Sequence, residues 1–276
     1  AFLGLFLAAG VIAGVMVLWK GLSITNLTDL VPWGLWITID LSSIALAGGA
    51  FSLCAAVYLI GLKRYQPIAR TATWVGLIGY SMAMLCLFMD IGRPFKFYQA
   101  LIYWNTHSLL WEVTMCIILY FSVLALESLP IIANLEWLKN KFPKLTAKMS
   151  QVHHFAPYLA IAGLVLSSMH QASLGGAYGV LTAILGGISM TLLVSMLAAR
   201  LTNKAKVNDG LIERLSHFVG WGLVGYFYWR FWDTLSMTYT YEPGRTEGLH
   251  LLTSGPLAFN FWFGEMLLGI VVPMIL

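Results

Sequence analysis

Eight stretches of about twenty mostly apolar residues recur along this chain: Phe2–Leu18, Leu35–Leu62, Thr71–Met89, Leu109–Leu129, Pro157–Leu174, Val180–Leu201, Leu215–Met237 and Leu257–Leu276. Each is long enough to cross the roughly 30 Å of a bilayer's hydrocarbon as a helix. Lipid offers no hydrogen bonds to a backbone, so only helices and closed barrels span it. Barrel strands are about ten residues long and alternate in polarity, and these runs do neither. The sequence therefore predicts an all-α, polytopic integral membrane protein. Composition agrees: 59% of residues are hydrophobic and 10% charged, against about a quarter charged in a soluble domain. Eleven Trp and twelve Tyr suit two interfacial aromatic belts.

Several function classes drop out at once. The net charge of +4 is modest and falls in no Lys/Arg run, which argues against nucleic acid as a partner. No Gly-rich loop suggests a nucleotide. Cys54, Cys86 and Cys116 lie singly inside apolar runs, without C-x-x-C spacing, and read as small buried hydrophobes. The fifth and sixth runs meet through Gly175, Gly176 and Gly179, which fits either a tight hairpin or a lost segment. Both ends fall within apolar runs, so further residues are expected at each, with at least one more helix after Leu276.

Loop charge orients the chain. Lys63, Arg64 and Arg70 follow the second run; Lys139, Lys141, Lys144 and Lys148 follow the fourth; Arg200, Lys204, Lys206 and Arg214 follow the sixth. The positive-inside rule puts these loops in the cytoplasm. The turn at Asp90–Arg93, His107 and the loop Glu242–Arg245 then face outward. With 1.5 Å of rise per residue, Asp40, Asp90 with Arg93, Ser108 with Glu112, His170 with Gln171 and Ser173, Arg230 with Asp233, and Glu265 all fall in the outer third of the membrane. Taken singly, Asp90 and Arg93 read as an interfacial ion pair, His170 as a packing histidine, and Trp33 and Trp36 as belt anchors. Independent anchors would be spread over both faces. Here they concentrate on one, and ionisable groups at membrane depth are kept for function.

A membrane pocket lined by carboxylates, His and Trp suits a quinone. The apolar ring and tail arrive through lipid, the carbonyls need donors, and carboxylates can relay the two protons of the redox reaction. The pocket is expected among the second to fifth helices, lined by Trp33, Trp36, Asp40, Asp90, Arg93, His107, Glu112 and His170. Glu112, Tyr120 and Glu127 fall along one broad stripe of the fourth helix. They read as a proton route toward the cytoplasm or as helix–helix glue.

Four motifs carry a family resemblance. Pro32-Trp33-Gly34-Leu35-Trp36 followed by Asp40, Asp90-Ile91-Gly92-Arg93-Pro94, His107-Ser108 followed by Glu112, and His170-Gln171-Ala172-Ser173-Leu174-Gly175 resemble the NrfD/PsrC family of quinone-interacting membrane subunits, closest to its HybB-like branch. The resemblance covers about Asn26 to Leu276. It implies one transmembrane domain over residues 1–276, of eight to ten helices in the full chain. Its first helix is peripheral, helices two to five form a four-helix bundle, and helices six to eight belong to a second. It implies menaquinone or ubiquinone bound near the outer face, with no covalent cofactor and no haem. Asp40, Asp90, Arg93, Glu112 and His170 take the chemistry; Trp33, Trp36, His107, Ser108, Gln171 and Ser173 join Asp40 and His170 in holding the quinone. Glu112, Tyr120, Glu127, Arg230, Asp233 and Glu265 mark a proton pathway. It implies a ferredoxin-like, multi-cluster iron–sulfur subunit on the periplasmic face, further catalytic or multihaem cytochrome subunits, and a bacterial or archaeal cytoplasmic membrane. The family usually has a longer segment after the Ser-Leu-Gly motif than this chain has before its sixth run. Three rivals remain: a dihaem cytochrome b anchor using His154 and His170 with His217 and His107, a secondary transporter, and a passive anchor.

Overall fold

The computed structural model describes residues 2–28, 34–92, 94–202, 208–239 and 244–275. Among them every regular element is helical. Helix α1 (Phe2–Lys20) is apolar all round, and Val17 is its buried residue. It leans on the rest of the molecule near its C-terminal half, where Gly14 faces Met89. Helices α2 (Leu35–Tyr58) and α3 (Gln66–Asp90) form an antiparallel pair. Short α4 (Gln99–Ile102) lies in the crossing to α5 (Leu109–Ile132), and α6 (Glu136–Lys141) and α7 (Pro143–Gln151) lead into α8 (Ala156–Thr202).

The 47 residues of α8 hold two membrane-length arms. Gly176 takes a positive φ of 58°. A Cβ on Gly179 would sit 2.5 Å from the Gln171 carbonyl oxygen, whereas eight residues along a straight helix are about 12 Å apart. The chain therefore doubles back here, and the Gly hairpin is the reading the structure adopts. The second arm presses Ala183 and Gly187 onto Gly48 and Gly49 of α2, backbone against backbone, where any added Cβ would strike main-chain atoms. In lipid, where no hydrophobic force drives helices together, small residues at such crossings let dispersion do so.

The core lies among α2, α3, α5 and α8. Ile44, Ala47, Ala50, Ala72, Ala83 and Leu124 are almost wholly buried there, with Tyr80 and Tyr120 beside them. Beyond α8 come α9 (Asp209–Tyr239), α10 (Arg245–Thr253), the π-helix Asn260–Val271 and α11 (Val272–Ile275). Six segments among the described residues are long and apolar enough to cross a bilayer: 2–20, 35–58, 63–90, 111–132, 143–173 and 179–202. The seventh and eighth runs are helical too, but α9 carries Arg230 and Asp233 among its aromatics, and the last apolar helix is shorter, Asn260–Ile275. Arg70 at the start of α3, Ser150 of α7 and His153 line one cavity. The basic loops after α2 and α5 thus meet at one end of the bundle, hereafter the basic end.

Candidate functional site

At the opposite end the bundle encloses polar groups that the protein leaves incomplete. His170 on the first arm of α8 is 0% exposed. The Val113 carbonyl lies near enough to interact with it, yet neither ring nitrogen closes a hydrogen bond of good geometry. Asp40 on α2 is 5% exposed, and its Oδ1 has no partner among the described residues. Asp90, at the end of α3, lies close enough for the two carboxyls to feel each other's charge, and its buried Oδ1 has no hydrogen-bond partner among the described residues. The Tyr80 ring stands 6.3 Å from that of His170, and its buried hydroxyl lies within electrostatic reach of Asp40. Unsatisfied buried polar atoms each cost about 1–3 kcal/mol, and native structures hold few of them. Here an imidazole, two carboxyls and a phenol share that condition at one site.

The other expected residues fall as follows. Glu112, in the first turn of α5, accepts a hydrogen bond from Ser173 Oγ at 3.0 Å. This ties α5 to the first arm of α8. Ser108 is the N-cap of α5, its side chain accepting from the Trp111 amide. Gln171 is buried and donates to the Ile44 carbonyl at 3.4 Å, so it joins α8 to α2. Trp36 is half-buried and His107 exposed. Trp33 and Arg93 lie outside the described residues, and with them the ion pair expected between Asp90 and Arg93. Of the four histidines that a dihaem site would need, only His170 is buried; His107, His154 and His217 are exposed.

Sequence reasoning missed Tyr80 and Ser167, which join Tyr120 in a line of hydroxyls below His170. Tyr80 and Tyr120 pack edge to face with centroids 4.7 Å apart. Ser167 lies beside both phenols, although Ser167 Oγ and Tyr80 OH close no hydrogen bond of full geometry. Tyr120 OH donates to the Ala47 carbonyl at 3.4 Å. Ser167 sits three residues before His170, one helical turn away on the same face, and that spacing was a readable signal. Tyr80 comes from another helix and gave none.

From Tyr120 the polar line continues to Glu127, whose charge reaches it. Cys54 Sγ lies 3.9 Å from Glu127 Oε2 and 3.8 Å from Thr73 Oγ1. Glu127 borders a cavity of about 290 Å³ at the basic end, walled by Cys54, Tyr58, Arg70, Asn134, His153 and apolar neighbours. Of the residues expected to line a quinone pocket around His170, Trp33 and Arg93 lie outside the described residues. A shallower depression of about 520 Å³ lies on the far side, at Ile91, Gly92, Lys96 and Gln99.

Arg230, Asp233 and Glu265 come together in a second polar cluster. Arg230 Nη2 donates to Glu265 Oε2 at 3.2 Å, with Nε an ion-pair distance of 2.8 Å from Oε1, and Nη1 donates to Asp233 Oδ2 at 2.9 Å. Arg245 reaches Asp233 Oδ1 at 3.3 Å, and Tyr226 OH donates to Glu265 Oε1 at 2.8 Å. The guanidinium also sits over the Phe261 ring at 5.3 Å. Glu265 and Phe261 belong to the π-helix, so this cluster fastens that segment to α9.

Fold and site define a class: a polytopic helical membrane protein with a buried, incompletely bonded histidine–carboxyl–tyrosine centre near one face. The chain belongs to the NrfD family, the polysulphide reductase NrfD model matching residues 23–276. It is 33% identical to the menaquinone reductase integral membrane subunit of Nitratidesulfovibrio vulgaris, a match covering 100% of this chain and 72% of that protein. It is 32% identical, over 55% of the chain and 38% of the relative, to the probable Ni/Fe-hydrogenase 2 b-type cytochrome subunit of Escherichia coli. The Hdr-like menaquinol oxidoreductase integral membrane subunit of Archaeoglobus fulgidus is 25% identical over 92% of the chain and 64% of the relative.

Proposed function

We propose that this chain is the quinone-interacting membrane subunit of a respiratory oxidoreductase complex in a bacterial or archaeal cytoplasmic membrane. It exchanges electrons between menaquinone or ubiquinone and an iron–sulfur subunit on the periplasmic face. The observation that carries this reading is His170, wholly buried with neither ring nitrogen closing a hydrogen bond of good geometry among the described residues, facing Tyr80 and grouped with Asp40. Quinone carbonyls accept hydrogen bonds, quinol hydroxyls donate them, and an imidazole serves both. The names of two relatives, a menaquinone reductase subunit and a menaquinol oxidoreductase subunit, support the substrate class.

Reducing a quinone takes up two electrons and two protons; oxidising the quinol returns both. Only the electrons pass to the partner, so the protons need holders. His170 and Asp40 are placed to hold and release them at Nδ1 or Nε2 and at the carboxyl, and their burial excludes bulk water. Tyr80, Ser167, Tyr120 and Glu127 supply a polar line from that centre to the basic-end cavity, which supports proton exchange with the cytoplasm. Glu112 stands off this line, engaged by Ser173, and Arg230, Asp233 and Glu265 belong to the second cluster.

The test is His170→Ala in the intact complex. Quinone-linked turnover should fall by about 10²–10⁴-fold, the usual worth of a positioned acid–base group, while the subunits still co-purify. Wild-type turnover in that variant would overturn the assignment and favour a passive anchor. For the proton route, Glu127→Gln in proteoliposomes should slow proton uptake from the cytoplasmic side and leave quinone binding intact. Unchanged uptake and turnover would remove Glu127 from the route.

A further inference from the structure

Cys54 differs from the other two cysteines. Among the described residues Cys86 and Cys116 close no side-chain hydrogen bond, whereas Cys54 Sγ lies 3.9 Å from Glu127 Oε2 and 3.8 Å from Thr73 Oγ1. The three side chains come from α2, α5 and α3 and meet at the inner wall of the basic-end cavity. Cys54 is 3% exposed and Thr73 4%. A free cysteine that only fills space behaves as a small hydrophobe; this one has a hydroxyl on one side and a carboxyl on the other.

Counting protons shows what the thiol can do. Thr73 Oγ1 donates its own proton to the Ala69 carbonyl at 3.0 Å, so toward Cys54 it only accepts. The thiol has one proton and two neighbours able to take it. An ionised Glu127 is an acceptor alone, and a bond to a charged group is the stronger one, so the S–H turns to the carboxylate. A protonated Glu127 carries an O–H of its own. It donates to the sulfur, a weak acceptor, and the S–H turns to Thr73. The two arrangements differ by a rotation about the Cβ–Sγ bond, with no movement of the helices. A buried carboxyl satisfied in one state and short of a partner in the other would be held in the first, because an unmet buried group carries its full desolvation cost. Here neither state is short.

We infer that Cys54 is the positioning residue of Glu127: its S–H points to the ionised carboxylate and to Thr73 once that carboxyl is protonated, so Glu127 can gain and lose a proton in place. The thiol keeps its own proton throughout, and the proton that Glu127 exchanges passes by way of the cavity. Among the described residues Cys54 is the side chain that hydrogen-bonds Glu127. The other titratable groups that face it act at longer range: Tyr58 from α2, Arg70 from α3, His153 from the turn before α8, and Tyr120 two turns earlier on α5. The use of this device in turnover rests on the proton route proposed above; the response of the thiol to Glu127 does not.

The test is infrared difference spectroscopy of the purified complex in liposomes, titrated with pH. The S–H stretch falls where few other protein groups absorb, and its frequency drops as the thiol's hydrogen bond strengthens. The band that disappears in Cys54→Ala belongs to Cys54, and the carboxyl band that disappears in Glu127→Gln belongs to Glu127. In the wild type the Cys54 band should move to lower frequency as pH rises, with the same midpoint as the loss of the Glu127 carboxyl band. In Glu127→Gln, which leaves Cys54 in place, the thiol band should stay fixed at every pH. Cys54→Ala removes a donor from the carboxylate, so Glu127 should hold its proton to higher pH, by about half to one unit or roughly 3–10-fold in proton affinity. Cys54→Ser keeps a donor and should titrate at or below the wild-type midpoint. A Cys54 band that does not move with pH, or a Glu127 midpoint unchanged in Cys54→Ala, would overturn the positioning. Proton uptake from the cytoplasmic side of the same liposomes should shift in pH with the Glu127 midpoint. Uptake indifferent to that shift would overturn the proton route and leave the coupling of Cys54 to Glu127 standing.

Discussion

The two polar clusters of this membrane protein are finished to different degrees. On α9 and the π-helix, Arg230 is met by two carboxylates and a ring face, Asp233 takes Arg245 as well, and Glu265 takes Tyr226. Between α2, α3 and α8, Asp40 and His170 are more deeply buried, yet among the described residues Asp40 Oδ1, the Tyr80 hydroxyl and both His170 nitrogens close no hydrogen bond of good geometry. Charge inside a bilayer is costly in either setting. A cluster whose charges are paired serves as structure, because its strongest interactions are already made. An unsaturated one keeps its hydrogen-bonding capacity for something that arrives. Hydrogen-bond accounting thus separates the two kinds of intramembrane carboxylate, where residue type and depth do not.

The contrast breaks if substitutions act alike on both clusters. The largest expected effect is on turnover at the unsaturated one: Asp40→Asn keeps shape and removes the charge. It should lower quinone-linked turnover by about 10²–10⁴-fold with little change in thermal unfolding of the purified complex. A large loss of stability with turnover intact would make Asp40 a structural residue. At the saturated cluster the effect should invert. Arg230→Met leaves Glu265 without its cation and Asp233 with Arg245 alone, and breaking a buried pair from one side costs about 3–5 kcal/mol. The variant should unfold at lower temperature, while turnover per assembled complex persists. Arg230→Met combined with Glu265→Met should recover part of that stability, since replacing both members of a buried pair with apolar groups is often close to neutral. A double variant as unstable as the sum of the single ones would mean that the two side chains act independently. The smallest effect belongs to Tyr226→Phe, which removes one hydrogen bond to Glu265. It should cost about 1–2 kcal/mol, read as a small melting shift with normal turnover.

Legibility in the sequence followed the range of the interaction. His170 and Ser167 share a helix, so a turn's spacing connects them. The Ser108 cap and Glu112 in the first turn of α5 follow from local helix rules. The meeting of Arg230 with Asp233 is an i, i+3 pair. Tyr80 beside His170, Glu265 on Arg230 and the cavity at the basic end are contacts between helices far apart in sequence. That cavity is lined by Arg70, Asn134 and Glu127, from α3, α5 and the turn after it.

What the sequence determined alone was the solvent and the class of structure. Runs of twenty apolar residues cannot be satisfied outside lipid, lipid permits only closed hydrogen bonding, and basic loops choose a side. These are properties of single segments. Which faces of those segments meet was left to tertiary structure. Helices that are apolar all round carry no stripe to fix their rotation, so partners are chosen by close packing, as where Gly48 and Gly49 admit Ala183 and Gly187. That packing turns Tyr80, Ser167 and His170 toward one another and leaves Asp40 beside them, making a site out of residues that had only shared a depth.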